Sequence, residues 1–365
     1  MKTLFTLVAP GALALSAAGM LLLLVPSAAM VGQAGRGYPF VALTVAALLA
    51  WRLHRSRLLF AALLLLLTHG ALHTRAFGND LVATAVAAVV LPLLLAALAF
   101  TADRDVATRA SLWQALLVFM PAGAAALVIA AAPGEAVALL TLSFVDPIYT
   151  DWTGLPQVAL VSATFALGVL TMVALSRGKA LDAGLGWTAL AGVIALSEPA
   201  GSTGRGLWML AAGVILIIAL VESSYMMAFH DELTGLPARR ALSQALASLR
   251  PPYTVAIVDV DHFKSFNDRY GHDVGDEVLR MVGSRLAGVK GGGRAFRSGG
   301  EEFTLVFAGR TKAEALAYVE EVREAVAAAR FTLRSKPRPT KAEGERRRGK
   351  RSGSERRIGV TISVG

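Results

Sequence analysis

The chain has 365 residues, of which 55% are hydrophobic and only 17% charged, and its mean hydropathy is +0.56. These values exclude a disordered or fibrous protein and argue against a wholly soluble one. The absence of cysteine excludes disulfides, thiolate metal sites and cysteine nucleophiles. The net charge of +10 does not by itself indicate nucleic-acid binding, because residues 334–357 alone hold 11 basic and 3 acidic side chains.

The first part of the chain predicts a bundle of membrane-spanning helices. A bilayer core requires roughly 20 mostly apolar residues per helix. Eight segments approach this length, and the second and seventh are short: 3–25, 38–53, 57–74, 80–100, 112–132, 156–176, 184–200 and 206–226. We therefore expect an all-α polytopic membrane and sensor domain over residues 1–226, with seven or eight spans.

The basic residues between these segments predict the orientation. Alternate loops hold eight Lys and Arg on one side, whereas the other side holds three, namely Arg36, Arg75 and Arg205. The side with more basic residues is expected to be cytoplasmic, and an even number of spans places residues 227–365 there as well. A cleaved signal peptide ending near Ser27 is the alternative, and it leaves the same part cytoplasmic. We expect a multi-pass protein of the bacterial inner membrane, with the bilayer as a partner.

Few ionisable residues fall inside the predicted spans. His69 and His73 are four residues apart and share one face of the third span, which suits a metal, haem or proton-sensing pair. The alternative is two polar residues in the outer interfacial zone beside Arg75. No span carries the series of charges that an ion pathway needs, so a transporter with a regulatory tail is a less favoured alternative function.

The remainder of the chain, 227–365, interleaves helical and strand patterns and predicts an α/β domain. Expected helices cover 238–249, 274–288 and 312–329, with a further helical stretch from about 263. Expected strands cover 253–260, 294–298, 302–307 and 358–364. The second and third of these strands are separated by a glycine-containing segment, which predicts a hairpin.

Acidic residues lie at the end of the first predicted strand. Asp259 and Asp261 follow the apolar run Val255–Val258, in a strand that we expect to be buried. Because they are two residues apart, the two side chains should project from one face. Unpaired buried charge is costly, and a divalent cation with oxygen ligands removes that cost.

A second pair of acidic residues follows the hairpin turn. Glu301 and Glu302 come directly after Gly299 and Gly300. If the hairpin folds beside the first strand, Glu301 approaches Asp259. Two carboxylates, a divalent ion and a glycine turn open to phosphate suit phosphoryl or nucleotidyl transfer. An ordinary polar hairpin beside a polar loop is the alternative.

Three segments of this region together resemble the GGDEF family of diguanylate cyclases. They are DELTGLPARR, DVDHFKSFNDRYGHDVGDEVL and RSGGEEF, and they occur in this order over about residues 230–365. The resemblance implies a cyclase-palm-like fold, with a central, mainly antiparallel sheet flanked by helices. It also implies that two GTP are converted into cyclic di-GMP and pyrophosphate. In that reaction each protomer of a homodimer holds one GTP, and each 3′-hydroxyl attacks the α-phosphate of the other.

The resemblance also implies roles for single residues. Positions that match the family's catalytic and metal-binding residues, for Mg²⁺ or Mn²⁺, are Asp259, the Val260 carbonyl, Glu301 and Glu302. Positions that match its GTP-binding residues are Phe263, Lys264, Asn267, His272, Asp276, Gly299 and Gly300. An amide and a carboxylate facing the N1–H and N2–H₂ edge of guanine would reject adenine. His272 is expected either to support the pocket or to be an ordinary structural histidine.

The sequence departs from the family pattern in two internal places. The family's inhibitory Arg-x-x-Asp motif corresponds to Lys290-Gly291-Gly292-Gly293 here, so we expect no product inhibition at this position. Residues 335–357 form a low-complexity basic segment, expected to be a solvated loop or an attachment to anionic lipid. It contains no aromatic residue for base stacking, so no nucleic-acid partner is expected.

The family pattern also continues beyond the last residue of this chain. It has a further helix with basic residues that contact the phosphates, and nothing here matches it. We therefore expect a domain that is incomplete at its C-terminal end and less active. The alternative function is a catalytically degenerate domain that binds GTP or a protein partner.

Overall fold

A computed structural model describes residues 11–20, 28–74, 76, 80–329, 331–332 and 357–365. The chain divides into two compact units, residues 1–224 and 225–365. Most of the predicted first span and nearly all of the basic segment 335–357 lie outside the described residues.

The first unit is helical. Its helices are α1 (Gly11–Met20), α2 (Ala28–Arg52), α3 (Ser56–His73), α4 (Asp80–Ala99), α5 (Arg109–Ala131), α6 (Pro133–Leu140), α7 (Gln157–Arg177), α8 (Ala180–Ser197) and α9 (Thr203–Phe229). Six of the described helices, α3, α4, α5, α7, α8 and α9, are long and apolar enough to cross a membrane. The apolar segments Gly11–Met20 and Gly37–Arg52 are shorter. The six agree in position with six of the eight predicted spans.

One helix of this unit was not expected. The segment 133–155 lies between the predicted spans 112–132 and 156–176, and it contains α6 and two short 3₁₀ turns, Pro147–Tyr149 and Asp151–Thr153. Pro133 occupies the first turn of α6, where a missing N–H costs nothing, and apolar helix-forming residues follow. The helix has only eight residues, too few for its pattern to be recognised in an apolar sequence.

A buried ion pair joins helix ends within the first unit. Arg57 at the start of α3 is 4% exposed, and its Nη2 lies 2.5 Å from Oδ1 of the fully buried Asp182 in α8. The same guanidinium donates to the carbonyls of Leu98 and Ala99 at the end of α4. Arg57 thus ties the ends of three helices together.

The two histidines of α3 lie beside one aromatic ring. The rings of His69 and His73 are stacked with their centroids 6.1 Å apart, and both contact Phe40 of α2. Among the described residues, no group of three His, Cys, Asp or Glu is placed to hold a metal ion. The metal-ligand interpretation of this pair therefore gains no support.

The second unit is built on an antiparallel sheet. In chain order it contains α10 (Arg239–Ala247), β1 (Tyr253–Val260), α11 (Phe263–Tyr270), α12 (His272–Ala287), β2 (Gly293–Arg297), β3 (Glu302–Ala308), α13 (Lys312–Ala327), β4 (Phe331–Thr332), β5 (Arg357–Ile358) and β6 (Ile362–Val364). The strand order of the main sheet is β2-β3-β1-β6. This confirms the expected antiparallel sheet and the hairpin. The predicted strand 358–364 is instead two strands, because β5 pairs with β4 and only β6 joins β1.

The two faces of the sheet are covered unequally. Ala256, Val258 and Val260 of β1 point into the main core with the apolar faces of α12 and α13. On the other face Val255 and Ile257 are 37% and 62% exposed, so the expectation of a fully buried strand was wrong. On that side α10 packs over β2 and β3 but not over β1. Although this face is exposed, the end of β1 is held in place by β3 on one side and β6 on the other.

Candidate active site

The pairing of β1 with β3 brings acidic residues together at one end of the sheet. The register continues to the last pair, in which Asp259 lies opposite Glu302. Directly opposed residues of antiparallel strands have Cβ atoms about 5 Å apart. The residue opposite Asp259 is therefore the second glutamate of the pair, and Glu301 lies one position earlier, in the bend that precedes β3.

The backbone of β1 adds a carbonyl oxygen to this end of the sheet. Ile257 exchanges both of its backbone hydrogen bonds with Gly365, and the Asp261 amide donates to Thr361, so odd-numbered residues face the β6 side. Because backbone groups alternate along a strand, the Val260 carbonyl points to the β3 side. That is the side on which Glu301 precedes β3.

Asp259, Glu301 and Glu302 have no ion pair and no side-chain hydrogen bond within the part of the chain that the structure describes. Asp261 differs, because its carboxylate accepts hydrogen bonds from the hydroxyls of Ser363 and Thr361. These hydroxyls lower the pKa of Asp261 below its ordinary value. The Asp261 carboxylate thus fastens β6 and the residue before it to the end of β1.

The donor set suits a hard divalent cation. It consists only of oxygen atoms, from the carboxylates and from the Val260 carbonyl. Three carboxylates without a cation repel one another, and an ion with two positive charges would relieve this repulsion. Mg²⁺ usually takes one or two carboxylates and completes its shell with substrate phosphates and water. Among the described residues, no group of three His, Cys, Asp or Glu is placed to hold such an ion by itself.

The bend that carries Glu301 is held by an arginine, which the sequence reasoning missed. Arg297 donates from Nη1 to both carboxylate oxygens of Asp231, at 2.8 and 2.9 Å, and from Nη2 to the Gly300 carbonyl at 2.6 Å. Burial alone would raise the pKa of Asp231, but the hydroxyl of Thr234 and the Arg297 guanidinium hold it below its ordinary value. In the sequence, the only indication was that both residues belong to segments that resemble the GGDEF family.

The two glycines of the bend have different surroundings. The backbone amides of Ser298 and Gly299 donate to the Glu302 carbonyl and close the turn. A Cβ added to Gly299 would lie 2.6 Å from a carboxylate oxygen of Glu302, so this side chain folds over the glycine. Gly300 is exposed and has open space beside it. The backbone of the turn is therefore accessible to a ligand at Gly300 and covered at Gly299.

A second polar group lies between α11 and α12. The Oδ1 atom of Asn267 is buried and has no hydrogen-bond partner among the described residues. A Cβ added to Gly275 would lie 1.9 Å from this oxygen, so only glycine lets the amide pack against α12. Asp276 follows at once and is half-buried. The Asn267 amide thus packs against the residue that precedes Asp276 in α12.

The remaining predicted GTP-binding residues lie at the starts of these helices. Phe263 is 6% exposed and belongs to the core, so its side chain is not available to a ligand. Lys264 is exposed in the first turn of α11, and His272, the first residue of α12, is exposed too. His262 precedes α11 with a φ of 57°, which turns the chain sharply after β1. Phe263 can therefore contribute only its backbone to a phosphate site.

The turn at the position of the inhibitory motif is closed against α13. Lys290 pairs with Glu321, and Arg310 donates to the Gly291 carbonyl. A Cβ added to Gly293 would lie 2.6 Å from the ring of Phe307. No carboxylate can stand at 293 without displacing that ring, in agreement with the lack of an acidic residue there.

Comparison with known proteins identifies this region. Residues 228–345 match the family model of the diguanylate cyclase GGDEF domain. This match covers about a third of the chain and lies within the second unit. The response regulator PleD of Caulobacter vibrioides is 38% identical over 121 residues, 31% of this chain and 27% of PleD. The diguanylate cyclase VdcA of Vibrio cholerae is 36% identical over 103 residues, 27% of this chain and 30% of VdcA.

A solved structure is similar as well. The coiled coil and GGDEF domain of DgcB from Caulobacter crescentus, crystallised with c-di-GMP, is 27% identical over 40% of this chain and 71% of that one, with a TM-score of 0.33. The chain spans less than a third of the length of the curated relatives just named. The family match begins at residue 228, after nearly all of the helical first unit.

Proposed function

We propose that the GGDEF domain of this chain is a diguanylate cyclase that condenses two GTP into cyclic di-GMP and two pyrophosphates. The observation that carries this proposal is the set of carboxylates at the end of β1 and β3, which form no ion pair or side-chain hydrogen bond with the described residues. Asp259, Glu301 and the Val260 carbonyl would hold Mg²⁺ or Mn²⁺ next to the triphosphate. The bound ion supplies charge neutralisation at the α-phosphate and at the leaving pyrophosphate.

The chain's own residues then position the nucleotide. The side-chain amide of Asn267 and the carboxylate of Asp276 would read guanine, as acceptors for its N2–H₂ and N1–H groups. Adenine has no donor at N1, so it would leave both acceptors unsatisfied and would be rejected. Lys264 and the exposed backbone at Gly300 are placed for the phosphates.

The reaction requires two such sites. The 3′-hydroxyl oxygen of one GTP forms a bond to the α-phosphorus of the other, and the bond from that phosphorus to the β-phosphate oxygen breaks. The hydroxyl proton leaves to a carboxylate, and Glu302 is our candidate acceptor. A second, identical step closes the ring. We propose an antiparallel homodimer of GGDEF domains, since each domain would hold a single GTP.

We further propose that the first unit lies in the inner membrane and regulates the domain. Its support is the six apolar helices and the position of α9, whose last turn is part of the second unit. The Ala238 amide donates to the Phe229 carbonyl at the end of α9, and the Arg297 amide donates to the Pro237 carbonyl. A short backbone path thus joins the end of α9 to the hairpin that carries Glu301.

The test is product formation by the full chain in detergent or nanodiscs with GTP and Mg²⁺. The wild type should form cyclic di-GMP, ATP should not replace GTP, and Glu301→Gln should lower the rate at least 100-fold. Arg294→Gln is a control, because Arg294 is exposed on β2 and lies over Phe296 instead.

Two results would contradict the proposal. If the wild type binds GTP but forms no product, the domain is a nucleotide-binding module. If Glu301→Gln keeps full activity, the metal site has been assigned to the wrong residues.

A further inference from the structure

The first unit contains a cavity of about 560 Å³ that no part of the proposed cyclase uses. It lies where α4 and α9 begin and α8 ends, and α6 forms one wall. Its surface is mostly apolar, with Val82, Leu140, Leu155 and Leu196 among the lining residues. This volume lies within the range of small-molecule sites, which combine apolar walls with a few polar groups that orient the ligand.

One of the lining residues is a buried arginine. Arg205, in the first turn of α9, is only 7% exposed. Its Nε and Nη2 donate to the Glu198 carbonyl at 3.2 and 2.6 Å, and its Nη1 donates to the Thr84 hydroxyl at 3.2 Å. A guanidinium has five N–H groups, so one remains on each terminal nitrogen. Within the described residues, Arg205 forms no ion pair with a carboxylate.

The Arg205 guanidinium can therefore still bind a negatively charged group. The direct hydrogen-bond acceptors of Arg205 are neutral, and the carboxylates of Asp80 and Glu198 share the cavity without forming an ion pair with it. Burying a guanidinium is costly, and a carboxylate bound directly to it would recover part of that cost. The planar guanidinium binds a carboxylate with two parallel hydrogen bonds, which its two remaining N–H groups can supply. The cavity provides the space for such a ligand beside Arg205.

Two carboxylates also line the cavity, and they limit the charge of the ligand. Asp80 lies in the first turn of α4, where an acidic side chain is stabilised by the helix N-terminus. The Glu198 carboxylate packs against the first turn of α9, since a Cβ on Gly204 would lie 2.5 Å from Oε2. Both balance the arginine from a distance. With one guanidinium and two carboxylates the lining has a net charge of −1, so a dianion would be repelled more strongly than a single carboxylate that pairs with Arg205.

We propose that this cavity binds a small organic monocarboxylate. Its carboxylate lies on the free N–H groups of Arg205, and its hydrocarbon part lies against Leu140, Leu155 and Leu196. On the orientation predicted from the basic residues, this end of the helices faces the outside of the cell, where a small acid has access. The inference does not depend on the cyclase proposal, because binding alone is measured.

The experiment uses the full chain in nanodiscs and sodium hexanoate as the probe. Isothermal titration should show saturable binding with a Kd of about 1 mM or below, as expected for a ligand of this size. Hexanamide, which has the same shape without the charge, should bind at least tenfold more weakly, as should the dianion succinate. Empty nanodiscs correct for partition into lipid.

Two variants make the test specific. Arg205→Gln should lower hexanoate affinity at least tenfold, because a neutral amide replaces the charged guanidinium and its two free N–H groups. Leu140→Trp keeps the arginine, fills the cavity, and should also abolish binding. Leu139→Trp is its matched control, because Leu139 is 64% exposed and does not line the cavity. Equal binding by the wild type and Arg205→Gln, equal binding of hexanoate and hexanamide, or no saturable binding by a folded wild type would each overturn the proposal.

Discussion

Removing the Arg297 side chain should loosen the turn that carries Glu301 while the strands on either side stay paired. The guanidinium is 12% exposed, and its partner Asp231 is 22% exposed, so solvent screens this contact only partly. Arg297→Met keeps the length of the side chain but loses the bonds to Asp231 and to the Gly300 carbonyl. Hydrogen bonds that involve a charged group are worth about 1.5–3 kcal/mol. We take about 2 kcal/mol as the loss of local stability, equivalent to roughly 30-fold faster opening.

Hydrogen–deuterium exchange of the full chain measures this opening directly. The amides of Ser298 and Gly299, which donate to the Glu302 carbonyl, should exchange roughly 30-fold faster in Arg297→Met. Arg294→Met removes an equal charge from the same strand and should leave this exchange unchanged. Unaltered exchange in Arg297→Met would refute the idea that the arginine holds the turn.

Three further outcomes are expected elsewhere in the chain. Gly275→Ala should displace the Asn267 amide, because the new Cβ would lie 1.9 Å from its oxygen. Equilibrium dialysis should then show GTP binding weakened at least tenfold, with unchanged helix content. The pKa of Asp231 is held below its ordinary value of 3.8, so the exchange protection of the turn should be constant from pH 7 to about pH 5 and be lost only as the pH falls below that value. Asp182→Leu should destabilise the helical unit by about 3–5 kcal/mol, and Arg57→Met combined with it should restore most of the loss in thermal unfolding.

The strands of the second unit were predictable because their sequence signals are local. An apolar run that ends in acidic residues predicted the bounds 253–260 of β1. Glycines between two further apolar runs predicted β2 and β3. The exposure of Ile257 was not predictable, because it depends on which strands α10 covers, and this is a tertiary property.

The site was predictable in its residues but not in its contacts. Asp231 and Arg297 are 66 positions apart, and no periodicity connects them. Asp261 resembles Asp259 in sequence, yet its carboxylate is bound by hydroxyls about 100 residues later in the chain. Phe263 belongs to a matched motif, but its side chain is part of the core. In each case long-range packing decided the role.

The most direct test of the central claim is the binding of Mn²⁺ to the full chain in the presence of a non-hydrolysable GTP analogue, measured by electron paramagnetic resonance. If the end of β1 and β3 holds the ion, Asp259→Asn and Glu301→Gln should each weaken binding about 10–100-fold. Asp261→Asn should bind as the wild type does, because that carboxylate is engaged by Thr361 and Ser363. Wild-type affinity in Asp259→Asn would contradict the account.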